Sequence, residues 1–293
     1  MSEAAPARAK STGSTTEAIQ AHYDLGNDFF ALWLDPTQTY SCALWEGEND
    51  TLSAAQLRKL DFLLDLAEAR GAERVLDVGC GWGSALRRMV DHHGVKSAQG
   101  ISLSPKQLAY IGQTAPPNVR AELRDWRELE VPEPLDAIVS IGAFEHFARN
   151  DVPVDVKRRT YREFFERCHS WLKPGRCMGL QTITYENSVR EDWSDFFREE
   201  VFPESDLPTL TDIAASTERL FEVTQLRSDR HHYARTLRVW LAQLRARRAE
   251  AVALVGEKVV ARFERYLQLA TIGFHVGGMG LVRVGLRRID KPR

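Results

Sequence analysis

Apolar positions along the chain follow two different periods. From residue 74 onward, short runs of consecutive apolar residues alternate with stretches in which apolar residues recur every three or four positions. Runs of the first kind read as buried strands and stretches of the second kind as amphipathic helices. Their alternation predicts an α/β fold, a parallel sheet with helices on both faces. The predicted strands are residues 74–78, 97–103, 120–125, 135–144, 178–184, 221–227 and 280–289. Helices are expected over 82–92, 104–114 and 156–172, the last stopped by Lys173-Pro174-Gly175, with one long helical stretch from 236 to about 269 between the last two strands. Residues 18–70 read as a helical cap rich in aromatics and broken at Asp35-Pro36, and residues 1–17 as a disordered tail. The core is then 71–293, with an insertion over about 185–215 that would cover a substrate.

Composition narrows the partners. A chain of 293 residues that is 43% hydrophobic and 27% charged can bury a substantial core. A net charge of −2 offers no basic face to nucleic acid. Cys42, Cys80, Cys168 and Cys177 are widely spaced and show no C-x-x-C pairing, so they read as reduced thiols of a cytoplasmic protein and not as a metal site. No apolar run reaches the roughly 18 residues of a membrane span, so contact with a membrane is expected only at its surface and in passing. The pattern leaves the oligomeric state open.

The strongest local motif is VLDVGCGWGS, residues 75–84, a strand ending at Asp77 followed by Gly79, Gly81 and Gly83 and then a helix. Glycines at that point let the backbone turn sharply and admit a ligand close to the strand end. The spacing is neither that of a P-loop nor of the dinucleotide G-x-G-x-x-G, and Asp77 suits a cationic tail better than a pyrophosphate. An adenosyl ligand carrying an amino acid, S-adenosylmethionine, fits. The second strand lacks the acid that grips ribose in dinucleotide folds, so Ser102 and Gln107, on either side of Leu103, would offer neutral hydrogen bonds instead. At the end of the third strand, Trp126 would cover the adenine and Asp125 take its amino group, next to Arg127. Seven strands with this turn and a late helix suit a Rossmann-like class I methyltransferase core.

Several longer stretches add to this reading. AHYDLGNDFFALWLDPTQTYSCALWE (21–46), LDVGCGWG, SIGAFEHF (140–147), EEVFP (199–203) and HHYARTLRVW (231–240) resemble the cyclopropane fatty acid and mycolic acid synthase family, over about residues 18–285. The resemblance implies methyl transfer from the sulfonium of S-adenosylmethionine to an alkene in a lipid or acyl chain. The resulting carbocation loses a proton, thought to go to a bound bicarbonate, and closes a cyclopropane. It implies a bicarbonate shell of Cys42, the backbone of Ile141, Glu145 and Tyr233, and cofactor contacts from Tyr40, Ser41, Gly79, Ser102, Gln107, Trp126 and Arg127. Asp77, Gly81, Leu103 and Asp125 complete the expected cofactor-binding set. Alkene chemistry also calls for a dry chamber whose walls tolerate positive charge. Phe29, Phe30, Trp33, Tyr40, Trp45, Phe144 and Tyr233 are the aromatics expected to supply it, and Glu145, at the end of the fourth strand, stands where substrate meets cofactor.

The chain departs from the family in two places that bear on substrate. Where the family carries a histidine that helps hold the bicarbonate, the fifth strand has Gln181, which forms hydrogen bonds but carries no proton at neutral pH. The segment 185–203 is short and bears Arg190, Glu191, Asp192 and Asp195, which are expected on solvated faces because they would line a hydrocarbon tunnel poorly. Two further readings therefore accompany the first: C- or N-methylation of a specialised small metabolite, and a protein that binds S-adenosylmethionine without turnover.

Overall fold

Each predicted apolar run becomes a strand, and the computed structural model joins all of them in one sheet. It describes residues 12–23, 25–201 and 204–290. Residues 1–11 of the expected tail, Asp24, and Phe202 and Pro203 of the EEVFP stretch lie outside the described residues, as do the side chains of residues 21–23, 198 and 199. The strands are β1 (Arg74–Val78), β2 (Ser97–Ser102), β3 (Val119–Leu123), β4 (Leu135–Ile141), β5 (Leu172–Tyr185), β6 (Phe221–Ser228) and β7 (Met279–Arg288), in the order β3-β2-β1-β4-β5-β7-β6. β4 is buried along nearly its whole length, as a strand covered on both faces must be, whereas β6 at the edge is mostly exposed.

The helices are α1 (Thr16–Tyr23), α2 (Asn27–Ala31), α3 (Leu52–Leu66), α4 (Ser84–Asp91), α5 (Pro105–Thr114), α6 (Val154–Trp171), α7 (Leu210–Thr217), α8 (Arg230–Ala246), α9 (Arg248–Val255) and α10 (Glu257–Val276). Leu60 and Leu64 of α3, Leu86 and Met89 of α4 and Ile111 of α5 close one face of the sheet. Tyr161, Phe164, Phe165 and Cys168, spaced so as to share one side of α6, close the other. A third cluster sits above the sheet, where Phe29, Phe30 and Trp33 pack on Trp240 of α8 and Phe263 of α10.

The structure corrects the expected architecture at several points. The sheet is mixed, because β7 runs antiparallel to both β5 and β6. Helices α8 to α10 do not cross a face of the sheet but roof its carboxyl edge, so the chain re-enters the sheet from that edge and must run backward. The single long helix is three helices, broken at Arg247 and at Gly256, whose φ of 84° ends α9. Lys173-Pro174-Gly175 does not end α6, since β5 has already begun at Leu172. β4 stops at Ile141, and Gly142 turns the chain into a short 3-10 turn, Phe144–His146, that holds Glu145. Most of the cap between α2 and α3 is an irregular loop, not helix. Residues 12–17 are not a free tail: Ser14 N–H donates to the His146 carbonyl at 2.9 Å, Thr12 accepts from Arg149 N–H at 2.8 Å, and α1 begins at Thr16.

Candidate active site

Two cavities open at the carboxyl edge of the sheet, and Tyr40, Ser41, Gly142 and His146 line both of them. The first lies over the ends of β1, β2 and β3. Gly79 takes a φ of 87°, and a Cβ placed there would overlap that of Ala143, so this glycine is required by the packing of two adjacent turns as much as by any ligand. Gly81 differs: its φ is 52°, and a Cβ there would meet nothing within 4 Å, because that side of the turn is open cavity. Every residue expected at the cofactor lines this cavity: Tyr40, Ser41, Asp77, Gly79, Gly81, Ser102, Leu103, Gln107, Asp125, Trp126 and Arg127.

Their side chains are held in detail. Ser102 donates to the Gln107 amide oxygen at 2.8 Å, which turns the amide nitrogen away. Asp125 accepts from Arg127 N–H at 2.8 Å, and the Arg127 guanidinium lies 4.3 Å over the Trp126 ring and donates to Thr12 and the Phe147 carbonyl. Arg127 thus clamps the N-terminal segment over the cavity. Among the described residues, two buried oxygens of this lining have no partner, Oδ1 of Asp77 and Oε1 of Gln38. Burial pushes the Asp77 carboxyl up to about 7, partly offset by Lys59. A buried acceptor pair without donors is costly, and a ligand carrying an ammonium group would satisfy it.

Sequence reasoning missed the support beneath this cavity. Gln56 and Lys59 lie on the buried side of α3. The Gln56 amide donates to the carbonyls of Thr39 at 3.2 Å and Ser41 at 2.8 Å, and Lys59 Nζ donates to Ser41 Oγ at 2.8 Å. Together they pin the loop that presents Tyr40 and Ser41. Burial, with help from Arg283, lowers the Lys59 ammonium to about 7. The available signal was positional: α3 places Leu52, Ala55, Leu60 and Leu63 inward, and Gln56 and Lys59 fall on that same stripe.

The second cavity lies beneath α8 and α10. Glu145, Gln181 and Tyr233 line it, whereas Ile141 lines the first cavity and Cys42 lines neither. The Cys42 thiol donates to the Ala43 carbonyl at 3.2 Å, and burial pushes it up to about 11, so it remains S–H. Glu145 is 6% exposed: its Oε1 accepts from Ile183 N–H at 2.6 Å, its Oε2 has no partner, and burial pushes its carboxyl up to about 7. Of the aromatics expected around the chamber, Tyr40 and Tyr233 face it. Phe29, Phe30, Trp33, Trp45 and Phe144 do not line it, because they fill the cores above and beside the sheet. The walls come instead from Tyr185, Trp193, Phe197, Tyr266 and Phe274, on segments far apart in sequence. Arg190 also lines this cavity, while Glu191, Asp192 and Asp195 are exposed as expected. His146, at the junction of the two cavities, contacts Ser205 at 2.8 Å, and burial lowers its imidazole to about 4, so it is neutral at physiological pH.

The family described as mycolic acid cyclopropane synthetase matches residues 10–284. The chain belongs to this family. Cyclopropane mycolic acid synthase MmaA2 from Mycobacterium tuberculosis is 36% identical over 281 residues, 89% of this chain and 93% of its own. The solved structure of MmaA2 superposes with a TM-score of 0.84 at 34% identity, covering 94% of this chain and 99% of that one. Cyclopropane synthase CmaA1 in complex with SAH and CTAB gives 0.83 at 34% identity, with the same coverage. As a member of this family the chain is an S-adenosylmethionine-dependent methyltransferase of the cyclopropane synthase type, on the seven-stranded fold that its sequence pattern predicts.

Proposed function

We propose that the chain transfers the methyl carbon of S-adenosylmethionine to an alkene in an unsaturated lipid or acyl chain, with the donor in the first cavity and the alkene in the second. The observation that carries this is the shared wall of Tyr40, Ser41, Gly142 and His146, which lets a ligand in one cavity face a ligand in the other. The relative that holds SAH together with CTAB, a long-chain alkylammonium detergent, supports an alkyl chain beside the spent donor.

The first cavity fits the donor on chemical grounds. Asp77 Oδ1 and Gln38 Oε1 offer unpartnered acceptors to its ammonium, Gln107 and Ser102 offer hydrogen bonds to the ribose, and Trp126 offers an indole to the adenine. When bound, S-adenosylmethionine supplies a sulfonium methyl to the alkene: the S–C bond breaks as the alkene π pair forms the new C–C bond, leaving a carbocation on the acceptor. The faces of Tyr40, Tyr233 and Tyr266 and the carboxyl of Glu145 surround that developing charge in a site roofed from water. With a free oxygen and a carboxyl near 7, Glu145 is suited to take the proton whose C–H pair closes the ring. The shell expected for bicarbonate fits only in part. Glu145, Gln181 and Tyr233 share the chamber, but the Cys42 thiol is turned away from it, so no step is assigned to that anion.

The product follows from isotope retention. With a donor whose methyl carries three deuteriums, a cyclopropane keeps two and a methyl branch keeps three. Two retained deuteriums in the lipid product support ring closure with proton loss, and label found only on nitrogen or oxygen of a small molecule would overturn the lipid reading. The proposed place of action is the cytoplasmic face of a membrane. Among the described residues no helix is long and apolar enough to cross one.

A further inference from the structure

Arg283, on β7, is fully buried directly across the strand pair from Gln181. A guanidinium taken out of water is tolerated only when its N–H groups meet acceptors and its charge meets a counter-charge. Both conditions hold. Arg283 Nε donates to Gln181 Oε1 at 2.8 Å, Nη1 to Asp229, and Nη2 to the carbonyls of Cys42 and Ala43, each at 3.2 Å, with the Cys42 sulfur at 3.5 Å. Asp229, just before α8, is held in turn by Arg227 at 2.6 Å.

This arrangement decides the direction of an amide that lines the chamber. An arginine only donates, so Gln181 must turn its oxygen to Arg283 and its NH2 the other way. No acceptor for that NH2 is found among the described residues.

We infer that Arg283, backed by Asp229, is a positioning residue that fixes the Gln181 amide with its N–H groups toward the acceptor chamber. One wall beside Glu145 is thereby a permanent hydrogen-bond donor next to a buried positive charge. Such a wall donates to an oxygen-bearing or oxyanionic group and offers no acceptor to a protonated ammonium. This rests on the proposed function and sharpens it, since it gives the chamber that takes the alkene one fixed polar wall that only donates.

Two measurements separate the positioning role from the functional reading. In protein labelled with 15N-glutamine, the Gln181 side-chain pair is assigned by its loss in Gln181→Met. In the wild type that pair is expected to be widely separated and protected from exchange. In the double variant Asp229→Leu/Arg283→Met, which removes both buried charges together and leaves neither unpaired, it is expected to move to the position and exchange rate of a solvent-facing amide. A wild-type pair that already behaves so, or one unmoved in the double variant, overturns the positioning role whatever the substrate.

The second measurement is release of S-adenosylhomocysteine on vesicles of a cis-monounsaturated phospholipid. Arg283→Lys, which keeps a charge for Asp229, should lower kcat about tenfold with the KM for donor unchanged, and have less than a twofold effect in the Gln181→Met background. Equal losses in both backgrounds overturn action through Gln181. A wild-type enzyme that turns over amines but no such lipid contradicts the lipid reading, and leaves the labelled amide to decide the positioning role alone.

Discussion

The two cavities are neighbours with a common wall, yet they are built in opposite ways. The first is made of strand ends and the turns that follow them: Asp77 near the end of β1 with Gly79 and Gly81 after it, Ser102 at the end of β2, Asp125 and Trp126 after β3. The second is made of side chains gathered from the cap loop, the segment after β5, α8, α10 and the start of β7. Backbone geometry governs the one and long-range packing the other. The first cavity therefore tolerates little local change, while the second can be reshaped by substitutions scattered over the chain.

The largest expected effect separates the two roles of glycine within the first cavity. Gly79→Ala forces a Cβ against Ala143 at a positive φ, and should cost roughly 2–5 kcal/mol in urea unfolding. Gly81→Val, facing open cavity, should lose only the strain of its φ, roughly 1–3 kcal/mol, yet abolish donor binding by calorimetry. Retained affinity in Gly81→Val would mean that the ligand does not approach this turn.

Glu145→Gln carries the comparison into the second cavity. Turnover should fall more than tenfold while donor affinity stays nearly unchanged. Its stability should move the other way. The Glu145 carboxyl is raised in the folded state from 4.5 to about 7, so the stability it contributes is fully present below about 4.5 and is lost as pH rises through about 7. Relative to the glutamine variant, the wild type should weaken between pH 4.5 and pH 8 by on the order of 3 kcal/mol. A flat difference across that range would show that the carboxyl is not buried as described.

Asp77→Asn should reduce donor affinity about 10- to 100-fold, the worth of one charge-assisted hydrogen bond, with no change in the product formed. The smallest effect belongs to the exposed charges after β5. Asp195→Asn should stay within about 0.5 kcal/mol in stability and leave the KM for lipid unchanged, whereas Arg190→Gln, inside the chamber, should change it.

The same contrast explains what could be read in the sequence. All of the strands were legible, and so was the cavity over the ends of β1 to β3, because a glycine turn at a strand end is a local signal and residues 75–84 carry it without help from elsewhere. The reversed direction of β7 was not, since hydrophobic period reports burial and not polarity of the chain. Nor was the chamber. Phe29, Phe30 and Trp33 look as suited to a cation as Tyr266 and Phe274 do, and only the docking of α2 against α10 decides that the former are core. Lys59, Gln56 and Arg283 went unread for a related reason: each is polar and sits at a position whose neighbours say core, and the partner that makes this tolerable lies distant in sequence. Polar residues on inward-facing stripes are therefore the signal to search for in such chains.

The central claim is that donor and acceptor meet across the wall formed by Tyr40, Ser41, Gly142 and His146. A crystal structure with S-adenosylhomocysteine and a long-chain alkyl ligand tests it most directly. The sulfur is expected at that wall, facing into the second cavity, with the alkyl chain passing between Glu145 and Tyr266. A sulfur directed elsewhere, or an alkyl chain that does not enter beneath α8 and α10, would contradict it.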